Sequence, residues 1–280
     1  MKKGISMWSL PTREPDICFP FAKECGYDGI EVALGHEGPI RFDSTPSEMK
    51  ALRKKANDYG IEFYSLVCDT VWDHSMTSAD PEIRRNAEND VIKQLEIASM
   101  LECDTILIIP GMVAGLKPKY NKEIVRYDIA YERALESVIR LSEHAKRCGV
   151  FMGLENVGSK FLLSPLETRD FIDKTGSPMV KMYFDVGNTI RNGFPQHWID
   201  ILGKRIAKVH FKDIAKVEGS NALREVDILQ GIVDYDEVRA AFARIGYDDW
   251  VTAEIFPRKD GDTEFLKINS VAIDKILKRI

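Results

Sequence analysis

VFMGLENV (150–157), VKMYFDVG (180–187), IAKVHFKD (206–213) and WVTAEIF (250–256) are four short apolar runs, each with an ionisable residue toward its C-terminal end. Near-continuous apolar runs of this length suit parallel strands covered on both faces, where a simple alternation of polar and apolar residues is lost. Four similar runs precede them: GISMWSL (4–10), YDGIEVAL (27–34), IEFYSLVC (61–68) and CDTILIIPG (103–111). Segments with helical periodicity separate the runs. SEMKALRKKANDYG takes Ser47 as its N-cap and stops at Gly60, and Asp80-Pro81 opens a helix that runs to about Leu101. A segment over 128–148 ends ahead of Gly149, while Gly176 and Gly246 close two more helices just before the sixth and eighth runs. Eight strands, each followed by a helix-length connection, fit an α/β fold of the (β/α)8 TIM-barrel type better than an open doubly wound sheet. No linker or low-complexity stretch interrupts residues 1–280, so one barrel domain is expected.

Bulk properties narrow the function. The net charge is −5, and no Lys/Arg block forms a basic tail. Phosphate backbones reward clustered cations, so nucleic acid and membrane surfaces are not expected partners. Cys18, Cys25, Cys68, Cys103 and Cys148 are odd in number and lack C-x-x-C spacing, which reads as small thiols of a reduced compartment. The opening MKKGISMWSLP is too short and too polar for a signal peptide, and no run approaches a membrane span. A cytoplasmic protein is the expectation.

Active sites of closed α/β barrels lie at the C-terminal ends of the strands. The ionisable residues there are Glu155, Asp185, His210 and Glu254, from four consecutive runs. Each alone has an ordinary explanation: a satisfied core histidine, a turn-forming Asp, or a Glu paired with a nearby cation. Together they occupy equivalent positions on adjacent strands, and charge embedded in apolar strands is costly unless it is paired or metal-bound. Two Glu, one Asp and one His make a mixed O/N shell suited to Mn²⁺, Mg²⁺, Co²⁺ or Zn²⁺.

The series GLENV (153–157), SPLETRDFID (164–173), YFDVGN (183–188), KRIAKVHFKD (204–213) and TAEIF (252–256) resembles the xylose-isomerase-like TIM-barrel superfamily of sugar isomerases and epimerases. Within it the chain is similar to the L-ribulose-/L-xylulose-5-phosphate 3-epimerase and tagatose/psicose 3-epimerase branch. GYDGIE (26–31) and Pro110-Gly111 extend the resemblance over essentially the whole chain. The resemblance implies that Glu155, Asp185, His210 and Glu254 ligate one divalent ion, with Mn²⁺ the expected one. It also implies that Glu155 and Glu254 act as acid and base on a small ketose or ketose phosphate. Opposite faces give 3-epimerisation through an enediolate; transfer between C1 and C2 gives aldose–ketose isomerisation.

One departure concerns substrate. Free-sugar epimerases of this kind carry His three residues after the sixth-strand Asp, where this chain has Asn188; HFKD (210–213) likewise resembles the pentulose-phosphate branch. Lys212 and Arg258 are candidate phosphate contacts, although no glycine-rich cradle is evident. Trp8, with Trp72, is a candidate wall of the sugar pocket, and His74 a candidate substrate contact, with His36 weaker. Glu31 reads equally as a pocket carboxylate or a structural ion-pair member. Three other readings share the barrel: a single-metal dehydratase, a hydroxypyruvate-type isomerase and a non-catalytic sugar-binding protein. An apurinic endonuclease needs more histidines than five and a basic face. A homodimer or homotetramer is left open.

Overall fold

The computed structural model describes residues 1–115, 123–220, 222–257 and 263–280. Strands β1 (Lys2–Ser6), β2 (Gly29–Leu34), β3 (Glu62–Cys68), β4 (Thr105–Ile108), β5 (Phe151–Glu155), β6 (Val180–Asp185) and β7 (Ile206–Phe211) follow one another along the chain. A small hairpin, β8 (Asp213–Lys216) and β9 (Leu223–Val226), precedes the last barrel strand, β10 (Trp250–Ala253). The helices are α1 (Pro15–Glu24), α2 (Pro46–Asp58), α3 (Pro81–Met100), α4 (Tyr127–Cys148), α5 (Pro165–Lys174), α6 (Pro195–Leu202), α7 (Tyr235–Ile245) and α8 (Glu264–Ile276). The barrel closes in the order β1-β10-β7-β6-β5-β4-β3-β2, every pairing parallel, so the expected (β/α)8 barrel forms. Among the described residues no helix is long and apolar enough to cross a membrane.

Three local expectations are corrected. The N-cap of α2 is Thr45, not Ser47: Thr45 Oγ1 accepts the Glu48 N–H while the Glu48 carboxylate accepts the Thr45 N–H at 2.7 Å. That reciprocal box, with Pro46 at the first helical position, satisfies two orphan groups where Ser47 would satisfy one. The first strand ends at Ser6, because Met7–Ser9 form a 3₁₀ turn in which Ser6 Oγ accepts the Trp8 N–H. The hairpin β8–β9 stands where the sequence presents only a helix-length connection, because its short, half-exposed strands carry little apolar signal.

The interior of the barrel explains the outwardly apolar runs. Side chains alternate along a strand, so Lys208 and His210 point inward on β7 while Val209 and Phe211 face the helices. Near the N-terminal end, buried Lys208 Nζ lies 2.9 Å from both Asp104 and Asp249. Next, the Tyr64 ring stacks on Trp250 at 4.0 Å and its hydroxyl meets Thr252 Oγ1 at 2.7 Å across the barrel. Gly4 leaves room for that ring, since a Cβ there would overlap the Tyr64 hydroxyl. The apolar bulk lies in the layer between strands and helices, with Phe19, Leu95, Phe171 and Phe242 all essentially inaccessible.

Asp213 ties the start of the hairpin to the connection that leads from β9 to α7. Its Oδ1 accepts the N–H of Ile214 (2.8 Å) and Val233 (3.2 Å), and its Oδ2 those of Leu229 and Gly231 (both 3.0 Å). Losing a buried charged acceptor strands these donors, and each such bond is worth about 1.5–3 kcal/mol. Asp213→Ala should therefore lower unfolding free energy by about 3 kcal/mol in urea denaturation. An effect within 0.5 kcal/mol, about that of an ordinary surface change, would remove this anchor from the account.

Candidate active site

Inward alternation delivers the rim residues. Gly153 and Glu155 on β5, and Tyr183 and Asp185 on β6, share the inward face with His210 on β7. Thr252 continues this face on β10, and Glu254 follows directly after that strand. Asp185 stands in register with His210, and Thr252 with His210 on the other side. Because β5, β6, β7 and β10 are consecutive in the barrel, the four residues form an arc with Glu155 and Glu254 at its ends.

One donor atom from each of Glu155, Asp185, His210 and Glu254 lies within 4.8 Å of all the others. His210 Nδ1 is 3.3 Å from Glu254 Oε2, 3.6 Å from Glu155 Oε1 and 3.9 Å from Asp185 Oδ2. Asp185 Oδ2, His210 Nδ1 and Glu254 Oε2 are buried without an aligned hydrogen bond, although the Lys212 ammonium lies against the two oxygens. Buried polar atoms are rarely left so, and three of them aimed at one point have the chemistry of a divalent-cation shell. The residues fit such an ion.

Beneath them lies a support that sequence reasoning left undecided. Glu31, fully buried, faces His210 Nε2 with both oxygens at 3.0 and 3.1 Å. Nε2–H thus donates to Glu31, which directs the Nδ1 lone pair toward the cluster, as outer carboxylates do for metal-bound histidines. Glu31 also accepts the hydroxyls of Tyr183 and Ser65. Glu31 is therefore a buried partner of the imidazole. Asn156 adds a second brace: its side chain exchanges two 2.8 Å hydrogen bonds with the backbone of Asp185, locking the ends of β5 and β6. The sequence signal was a polar residue within or just after an apolar run, Glu31 in mid-strand and Asn156 at a strand end, without a partner visible along the chain.

The electrostatics are unequal across the arc. Burial pushes the Glu155 carboxyl up to about 7 despite its contact with His210. Burial acts on Glu254 in the same direction, but the Lys212 and His210 charges beside it hold its carboxyl well below the usual range. Burial raises Asp185, with Lys212 opposing. Burial disfavours a charged His210, yet the surrounding Glu31 and Glu254 carboxylates hold its proton affinity well above that of free imidazole.

Other predicted residues are spread more widely. The Asn188 N–H donates to Asp185 Oδ1 at 2.7 Å, so its backbone orients a cluster carboxylate. Trp8 is partly buried at the rim, its indole N–H held by Asp69, which also pairs with Arg13. His74 Nδ1 lies 2.8 Å from Asp90 on α3, so the four-residue cluster does not include it. Lys212 turns into the cluster, 2.9 Å from Asp185 Oδ2 and 2.5 Å from Glu254 Oε2. Arg258 lies outside the described residues. A cavity of about 710 Å³ opens beside the centre among the connections after β6, β7 and β10, lined by Arg191, Glu225, Gln230, Ile255 and Phe256. Cavities of that size accept small molecules.

Glu31→Gln tests the support. Gln keeps the shape but loses the charge that fixes the His210 tautomer, and outer partners of this kind are worth about 10–100-fold in metal affinity. Mn²⁺ titration should show a loss in that range with the fold intact by circular dichroism; unchanged affinity would sink the assignment.

A family model described as xylose isomerase-like TIM barrel matches residues 19–269. A 2-epi-5-epi-valiolone 7-phosphate 2-epimerase of Actinoplanes sp. is 22% identical over 213 residues, which cover 75% of this chain and 72% of that one. A D-psicose 3-epimerase of Ruminiclostridium cellulolyticum is 26% identical over 253 residues, or 84% and 76% of the two chains. The crystal structure of a D-psicose 3-epimerase with D-tagatose, from Clostridium cellulolyticum H10, has a TM-score of 0.76 over 99% of both chains at 21% identity, a likeness of fold. With a family model spanning nearly all of the barrel, the chain belongs to the xylose isomerase-like TIM-barrel family.

Proposed function

We propose that this protein is a divalent-metal-dependent 3-epimerase of a small ketose or ketose phosphate. The observation that carries the reading is the arc of four converging donor residues, three with an atom buried without an aligned hydrogen bond, bounded at its two ends by glutamates. Mn²⁺ is the proposed ion, since three carboxylates and one imidazole suit a mixed O/N-binding cation. Relatives named as epimerases of 2-epi-5-epi-valiolone 7-phosphate and of D-psicose support the reaction class.

When bound, the ion supplies Lewis-acid polarisation of the ketose carbonyl and stabilises the negative charge that develops on its oxygen. The chain's own residues do the rest. Glu155 and Glu254 flank the space where C3 would lie; one takes the C3 proton and the other returns a proton to the opposite face, inverting that carbon. Asp185 and His210 between them serve as ligands, held by Asn156 and Glu31. Trp8 offers an apolar wall and Asn188 a polar one, and the cavity beside the centre accommodates the remainder of the sugar.

His210→Ala should reduce bound Mn²⁺ from about one per chain, read by elemental analysis, and the melting temperature gained on adding Mn²⁺ should shrink, because an ion that binds only the folded state stabilises it by mass action. Undiminished metal in this variant would refute the ligand set.

Glu155→Gln and Glu254→Gln keep size but remove proton transfer, so turnover of a responsive ketose should fall by about 10²–10⁴-fold. Metal content is measured alongside, and solvent deuterium wash-in at C3 reports the half-reaction each variant retains. Near wild-type turnover in both metal-loaded variants would exclude the two-carboxylate mechanism.

A further inference from the structure

Lys212 is a buried cation in an unexpected place. Its residue is 6% exposed, and its ammonium lies against Asp185 Oδ2 and Glu254 Oε2, two of the donor atoms that make no aligned hydrogen bond. The placement is built into the surrounding chain. A Cβ at position 187 would overlap the Lys212 stem, so Gly187 of the DVGN turn opens the channel along which the stem runs. The Lys212 carbonyl accepts the Tyr235 hydroxyl at 2.9 Å, and the next residue, Asp213, is held by four backbone donors. The side chain thus leaves a fixed backbone through a fitted gap and ends between two carboxylates.

We propose that Lys212 is an internal counter-cation that occupies the donor cluster in the metal-free protein and is exchanged for the divalent ion on loading. This rests on the metal-centre reading above. Glu155, Asp185 and Glu254 converge at the rim with Glu31 directly beneath, and carboxylates buried together without compensation are too costly to assemble. Lys212 supplies a fixed positive charge within the chain, so the barrel can close before any ion arrives. A divalent ion that engages the same two oxygens cannot share them with an ammonium at contact distance, because like charges in so dry a place repel strongly. The ammonium then gives up at least one oxygen. Glu225 on β9, which lines the adjoining cavity, is the carboxylate proposed to receive it. Loading is therefore a competition between two cations, and the lysine moderates metal affinity while it maintains the fold.

Lys212→Met keeps the stem against Gly187 and removes the charge, and Lys212→Arg keeps the charge. By Mn²⁺ titration calorimetry the Met variant should bind at least ten-fold more tightly than wild type. Its metal-free form should melt at a lower temperature, a gap that saturating Mn²⁺ closes and that the Arg variant reduces. Should the Met variant fold only with metal, it is prepared loaded, and competition with a chelator gives the same comparison: it should keep Mn²⁺ at chelator concentrations that strip the wild type. Mn²⁺ affinity in Lys212→Met equal to or weaker than wild type overturns the exchange while leaving the metal centre standing. If neither protein binds a divalent ion, the exchange and the metal-centre reading fall together.

Discussion

Bringing like charges together inside a water-poor barrel is the constraint on which this structure depends. Three carboxylates meet at the rim and a fourth, Glu31, lies one layer below. Each would be expensive alone, and together they are tolerable only among cations and donors. The imidazole of His210 stands between the layers, bonded below to Glu31 and facing the three rim carboxylates above. Lys212 approaches from the side. Other interior features follow from this need. Gly187 is small so that the lysine stem can pass, and Gly153 is small so that Tyr183 can lie where it reaches Glu31.

The barrel gives this arrangement its precision. Parallel strands in fixed register set the height of each rim residue, and closure sets its direction, so the loops need only finish the site. β5 and the position directly after β10 carry the two glutamates at the ends of a four-strand arc. The hairpin β8–β9 then forms one side of the neighbouring cavity. Its attachment through Asp213, one residue after Lys212, joins the wall of that cavity to the electrostatics of the centre.

Much of this was legible along the chain. The eight apolar runs predicted the strands, and glycines at 149, 176 and 246 marked helix ends where the backbone does turn left-handed. The four rim residues were legible because a charge in an apolar strand contradicts its surroundings unless it has a function. Local competition was harder to read: Thr45 outranked Ser47 as a cap only because Glu48 could reach back to it. The hairpin escaped notice because two short strands outside the barrel need little hydrophobic burial, leaving no periodicity to detect.

The sequence by itself determined the barrel, its approximate strand limits and the set Glu155, Asp185, His210 and Glu254, since periodicity and misplaced charge are properties of residues in order. Only the tertiary structure decided what each polar residue meets. Glu31 lies 179 positions from His210, and no local pattern records that closing the barrel sets β2 across from β7. Lys212 looked like a phosphate contact because a lysine beyond a strand usually reaches solvent; the gap at Gly187 and the inward alternation of β7 turn it onto the carboxylates instead. Pairing across a closed barrel depends on register and curvature, which arise only when all eight strands are together.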